Sequence, residues 1–185
     1  MLEWIVRIEI DQSGKVEDAS HKTVVAYADS KNKTKSVLVS ARTKRRIQEL
    51  YRTTGRSKLY IYYIFSILLF HLTKNIGKRD LVVVDLEYPG KDKIILDILN
   101  NIRKEYKLPE LNVQFARIGN KPNAHYAANK VFNNKKKADV ILGTDDVIET
   151  IKKTDGRLRG CISTLVGARP RSSCVYYSKK VRKIK

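Results

Sequence analysis

Two places in the chain put carboxylates at the end of strand-like runs. Asp11 ends residues 4–11, where Trp4, Val6, Ile8 and Ile10 fall on one face and Arg7, Glu9 and Asp11 on the other. That period of two marks a strand with one buried face. Asp85 and Glu87 close the run Val82-Val83-Val84-Asp85-Leu86-Glu87, a continuous apolar stretch of the kind that forms a buried parallel strand. Carboxylates meeting at one sheet edge form a hard-oxygen site suited to Mg2+ or Mn2+. Such a site supports displacement at phosphorus: one ion activates water, a second stabilises the leaving oxygen, and they sit roughly 3.5–4 Å apart. Each acid also has a structural alternative. Asp11 is placed to cap a turn, Asp85 to meet a helix N-terminus or a lysine, and Glu87 to serve as a polar loop residue before Pro89. His125 and Asn129 are four residues apart and so share one helix face, although a lone helical histidine is often structural. His71 closes an apolar helix and reads as core-edge packing, while Asp139, Asp145 and Asp146 flank Gly143-Thr144, where Thr144 or Asp145 suits an N-cap.

The elements around these residues follow a recognisable order. Residues 4–11, 23–28 and 36–40 read as three strands of an antiparallel meander, with polar turns at 12–15 and 31–35. Residues 43–52 form a basic helix, broken near Gly55. Ser57 is a candidate N-cap for the apolar helix 59–72. That stretch is too short to span a bilayer, which needs roughly 20 residues, and suits a buried helix. Then come a strand at 80–86, a helix at 91–106 ended by Pro109, a strand at 113–118 and a helix at 123–134. A short strand at 138–142 and a helix at 145–153 follow. Right-handed crossovers would lay the fourth strand parallel to the first, with their carboxyl ends adjacent. No internal repeat or Walker-type phosphate loop is present, and Gly119-Asn120-Lys121 is only a turn.

Charge points to the partner. Lys and Arg number 38 against 19 Asp and Glu, a formal net charge of +19. Heat-adapted surfaces enrich Glu alongside Lys, and here most cations have no anion to pair with. A polyanion is the usual partner for such a surface, so DNA or RNA is expected, and a membrane is not. The cationic candidates are Lys44, Arg45 and Arg46, then Arg157, Arg159, Arg169, Arg171, Lys179, Lys180, Arg182 and Lys183 in an acid-free stretch. This divides the chain into an α/β domain, 1–155, and a basic C-terminal extension, 156–185, which holds apolar pieces able to form a hairpin. Cys161 and Cys174 lack metal or redox spacing and read as buried thiols, with a disulfide as the alternative. With no signal-peptide pattern at its start, the chain is expected to be cytoplasmic.

Over residues 4–134, the element order and the acid placement resemble the ribonuclease H-like superfamily. That superfamily includes ribonuclease H, Holliday-junction resolvases, transposases and Argonaute slicer domains. The resemblance implies a mixed five-stranded sheet flanked by helices, and a divalent-metal-dependent nuclease. It assigns metal ligation to Asp11 and Asp85, with Glu87 as an alternate or additional ligand. A residue of the last helix usually completes the site, and His125 matches that position. Asp11, Asp85 and His125 would then be catalytic. Ribonuclease H proper also uses an acid early in its first long helix, whereas residues 59–72 contain none and Glu49 lies in the preceding basic segment. The alternative is therefore a non-catalytic nucleic-acid-binding protein, or a scaffold in a nucleoprotein particle.

Overall fold

The computed structural model of the chain describes residues 5–119 and 122–158. Eleven elements follow one another: β1 (Arg7–Ser13), β2 (Thr23–Asp29), β3 (Thr34–Val39), α1 (Ala41–Arg52), α2 (Leu59–Thr73), β4 (Leu81–Asp85), α3 (Asp92–Glu105), β5 (Asn112–Ala116), α4 (Asn123–Phe132), β6 (Val140–Leu142) and α5 (Thr144–Thr154). The strands form one mixed sheet in the order β5-β4-β1-β2-β3-β6. β1, β2 and β3 are an antiparallel meander, while β4 lies parallel to β1 and β5 parallel to β4. The described chain is an α/β fold with six strands, one more than the expected five. The sixth, β6, pairs in parallel with β3. Asp139 fixes it there, because its Oδ2 accepts from Ser36 N at 2.8 Å and from Ser36 Oγ at 2.6 Å.

Alternation along the strands sorts two unequal layers. Ile8, Ile10, Val25, Val37, Val39, Val82 and Val84 face a thick layer built from α1, α2, α3 and α5. α2 is apolar around most of its circumference and is accordingly buried between the sheet and α3. Among the described residues, no helix is long and apolar enough to cross a membrane. On the other face, Val24 and Ala26 pack against Ala128 and Val131 of α4. The alanines let this helix approach closely.

Several boundaries differ from the sequence-based expectation for local reasons. α1 begins two residues before Thr43, since Ser40 Oγ accepts the Thr43 N–H at 3.1 Å. Ser57 does not cap α2; Lys58 holds the N-cap position without a side-chain bond, after a turn closed by Leu59 N to Arg56 O at 2.9 Å. Gly143 occupies the N-cap of α5, and its N–H is taken by Asp146 Oδ2 at 2.8 Å. That leaves Thr144 to meet Thr43, with their hydroxyl oxygens 3.2 Å apart.

The connection from β1 to β2 is held by two unusual residues. Gly14 has φ +75°, and a Cβ there would run into the Phe132 ring of α4 and the Lys22 carbonyl. Only glycine allows both the turn and the close seating of α4. Lys44, expected at a nucleic-acid surface, is instead fully buried. Its ammonium donates to Lys15 O at 2.8 Å, Asp18 O at 2.6 Å and Thr23 Oγ1 at 2.8 Å. Burial pulls its pKa down to about 8, yet three acceptors match its three donors. Lys44 pins the β1–β2 connection and cannot present its charge to a phosphate. Lys44→Met removes the donor to the Lys15 and Asp18 carbonyls and to the buried Thr23 hydroxyl, and is expected to lower the unfolding free energy by about 2–4 kcal/mol in urea titrations. Arg45→Met, on the exposed side, should change it by less than about 0.5 kcal/mol. Equal effects would contradict this assignment.

Candidate metal centre

Strand register brings the acids together. Ile10 lies opposite Val84 in the parallel β1–β4 pair, so the next residue along each strand is Asp11 and Asp85. Ile10 and Val84 face the thick helical layer. Asp11 and Asp85 therefore both project toward the α4 side. Beyond the strand end, Glu87 N donates to Asp85 O at 2.9 Å and turns the chain back on itself. One carboxylate oxygen each from Asp11, Asp85 and Glu87 then lie within 4.8 Å of one another. Asp11 is buried; Asp85 and Glu87 are half-buried.

Neighbouring elements orient two of the three. Asp11 Oδ1 accepts the Gln12 N–H at 2.6 Å, and Oδ2 lies 3.0 Å from His125 Nδ1 on α4. Asp85 Oδ1 accepts the Ile118 N–H at 2.8 Å from the segment after β5. Burial raises the Asp11 carboxyl; the Gln12 N–H and His125 oppose this, while the charge of Asp85 adds to it. Glu87 is pushed up to about 7, first by burial and then by the charges of Asp11 and Asp85, with Lys15 pulling the other way. Three like charges in a partly dry pocket repel one another, and either a proton or a divalent cation relieves them. An all-oxygen donor set of this kind fits Mg2+ or Mn2+.

The structure places the other expected residues unevenly. His125 stands behind Asp11 and is not one of the three converging acids. With Nδ1 on Asp11, Nε2 is the ring nitrogen left for other contacts, on a side chain 36% exposed. Asn129 is bonded to Asn133 one turn further along α4. Arg45, Arg46 and Arg157 are exposed. Arg159, Arg169, Arg171, Lys179, Lys180, Arg182 and Lys183, with Cys161 and Cys174, lie outside the described residues.

Other groups beside the centre had no sequence signal. Tyr88 packs edge-on against Phe65 with ring centres 5.2 Å apart. Its hydroxyl lies 3.3 Å from Gln12 Nε2 and 3.3 Å from Glu17 Oε2. This chain ties the β1–β2 connection to the loop that carries Glu87. The Ile118 contribution is a backbone N–H, which any residue but proline supplies. A surface cavity of about 960 Å³, lined by Ile5, Val6, Lys31 and Asp80 among others, lies at the opposite end of β1. The carboxylates instead sit at the carboxyl ends of the interior strands β1 and β4. No family model, no curated protein and no solved structure matches this chain.

A pH dependence follows from Glu87. Without metal, the folded state holds this proton up to about 7, whereas the unfolded chain releases it near 4.5. The folded state therefore binds more protons in that window, and its stability falls as pH rises through it. Added Mn2+ should raise Tm more at pH 8 than at pH 5, because it no longer competes with that proton. Glu87→Gln should flatten both effects in thermal melts. An unchanged pH profile in that variant would refute the assignment.

Proposed function

We propose that the chain is a divalent-metal-dependent nuclease on a ribonuclease H-like fold. The observation that carries this reading is the convergence of Asp11, Asp85 and Glu87 at the carboxyl edge of two adjacent parallel strands. The strand order β3-β2-β1-β4-β5, with β4 parallel to β1, supports the fold assignment. The +19 charge supports a nucleic-acid substrate, DNA or RNA.

In this reading, Asp11, Asp85 and Glu87 hold the metal. A bound Mg2+ or Mn2+ supplies water activation and stabilisation of the leaving oxygen at phosphorus. The chain's own groups set the geometry. Gln12 N–H and His125 Nδ1 fix the Asp11 carboxylate, and Ile118 N–H fixes Asp85, so neither acid needs to reorganise when substrate arrives. With Nδ1 on Asp11, His125 leaves Nε2 for a contact with substrate. The Asp11–His125 contact thus orients both partners.

One observation favours a second reading, a non-catalytic nucleic-acid-binding protein. The first two helices add no carboxylate to the centre. Glu49 is exposed and lies 3.6 Å from Arg52, and α2 contains no acid. That reading calls for steeply salt-dependent binding that is indifferent to Mg2+.

Incubation with labelled single-stranded, duplex and branched DNA and RNA, in Mg2+ or Mn2+, separates the two. Metal-dependent cleavage is expected, and Asp11→Asn or Asp85→Asn should each reduce kcat by about 100-fold or more. An absence of cleavage, or cleavage undiminished in both variants, would leave the nuclease reading without support.

A further inference from the structure

The outer face of α1 starts at the end of the strands that carries the carboxylates, on the opposite face of the sheet, and runs toward the end of α5. Thr43, Lys44, Ile47, Leu50 and Tyr51 are buried. The opposite stripe, Arg42, Arg45, Arg46, Glu49 and Arg52, is exposed. The spacing of three and four residues puts these side chains in one row. Four of the five are arginines, and the row runs roughly 15 Å along the helix from Arg42 to Arg52.

The ends of this row are fixed by packing. β1 and β3 point the same way through the meander, so α1 starts at the sheet edge that carries Asp11 and Asp85. Two strand spacings, about 10 Å, separate the end of β3 from that of β1. Arg45 Nη1 donates to Ala19 O at 2.8 Å, against the β1–β2 connection that borders the carboxylates. At its far end, α1 meets the end of α5. Tyr51 OH is 3.2 Å from Asp155, and Arg56 is 3.0 Å from the same carboxylate. Arg157 follows two residues later and is exposed.

The acids along this path are already engaged. Glu17 meets Tyr88 OH at 3.3 Å, Asp18 binds Ser20 and His21, and Glu49 lies 3.6 Å from Arg52. Asp145 and Asp146 are both exposed at the start of α5, and Asp146 accepts the Gly143 N–H there. Arg45 has four guanidinium N–H donors beyond its one backbone contact. Arg42 and Arg46 have no carboxylate partner among the described residues.

We propose that Arg42, Arg45 and Arg46 form a phosphate-binding track for the backbone of a nucleic-acid strand, on the face of the molecule opposite α4. The proposal rests on the nucleic-acid reading of the substrate, but not on cleavage. Guanidinium groups suit this role because they pair with phosphate oxygens through two parallel hydrogen bonds. Lys44, their neighbour in sequence, plays no part, since it points into the core.

The test measures binding without added metal, by fluorescence anisotropy on a fluorescein-labelled 20-nucleotide DNA strand and its RNA counterpart, over a series of salt concentrations. The variants are the triple Arg42→Gln, Arg45→Gln, Arg46→Gln, and a charge-matched control at exposed sites elsewhere, Lys31→Gln, Lys33→Gln, Lys104→Gln. Circular dichroism and Tm verify that each is folded. For the triple variant, the slope of log affinity against log salt should shrink by about 2, as three phosphate contacts are lost at roughly 0.7 each. The control should keep the wild-type slope. The proposal is overturned by a wild-type slope in the triple variant, by an equal loss in the control, or by wild-type protein that binds neither strand. Cleavage plays no part in the readout, so a protein that binds through this track and cuts nothing would fail the nuclease reading alone.

Discussion

Ile10 opposite Val84 in the parallel pairing of β1 and β4 is the register on which the carboxylate centre depends. A shift of one residue would turn one acid toward the apolar layer and leave the other on the α4 face. The register is held by burial, because Ile8, Ile10, Val82 and Val84 all pack into the same core. Apolar packing on one face therefore enforces the approach of like charges on the other. The cost of that approach shows in the raised carboxyls of Asp11 and Glu87, and a bound cation would relieve it.

The surroundings of the pair are arranged to keep it fixed. α4 brings His125 to Asp11, and its seating depends on the bare backbone of Gly14 and on the alanines at its contact with β2. Lys44 and Tyr88 hold the two loops that flank the carboxylates, one through backbone carbonyls and the other through Gln12 and Glu17. On the opposite face of the sheet, an exposed arginine row on α1 starts at the same end of the strands.

Much of this was legible in the chain itself. Alternation around Ile8 and Ile10, the Val82–Val84 run and the right-handed crossover rule were enough to place Asp11 beside Asp85, since each depends on short-range pattern. What escaped was the non-local part. The β6 pairing rests on Asp139 reaching Ser36, 103 residues away. The burial of Lys44 depends on carbonyls 26 and 29 residues distant, and nothing in the run Lys44-Arg45-Arg46 distinguishes an inward lysine from two outward arginines except the helical phase of Ile47 and Tyr51. The support of Asp85 by a backbone N–H carries no side-chain signature at all.

The central claim is that Asp11, Asp85 and Glu87 together hold a divalent cation. Crystals grown in Mn2+, with diffraction recorded at the manganese absorption edge, test it most directly. An anomalous peak is expected between these side chains, about 2.0–2.3 Å from oxygens of Asp11 and Asp85, and it should vanish in Asp85→Asn. A peak bound elsewhere, or none at this edge while the three carboxylates remain converged, would contradict it.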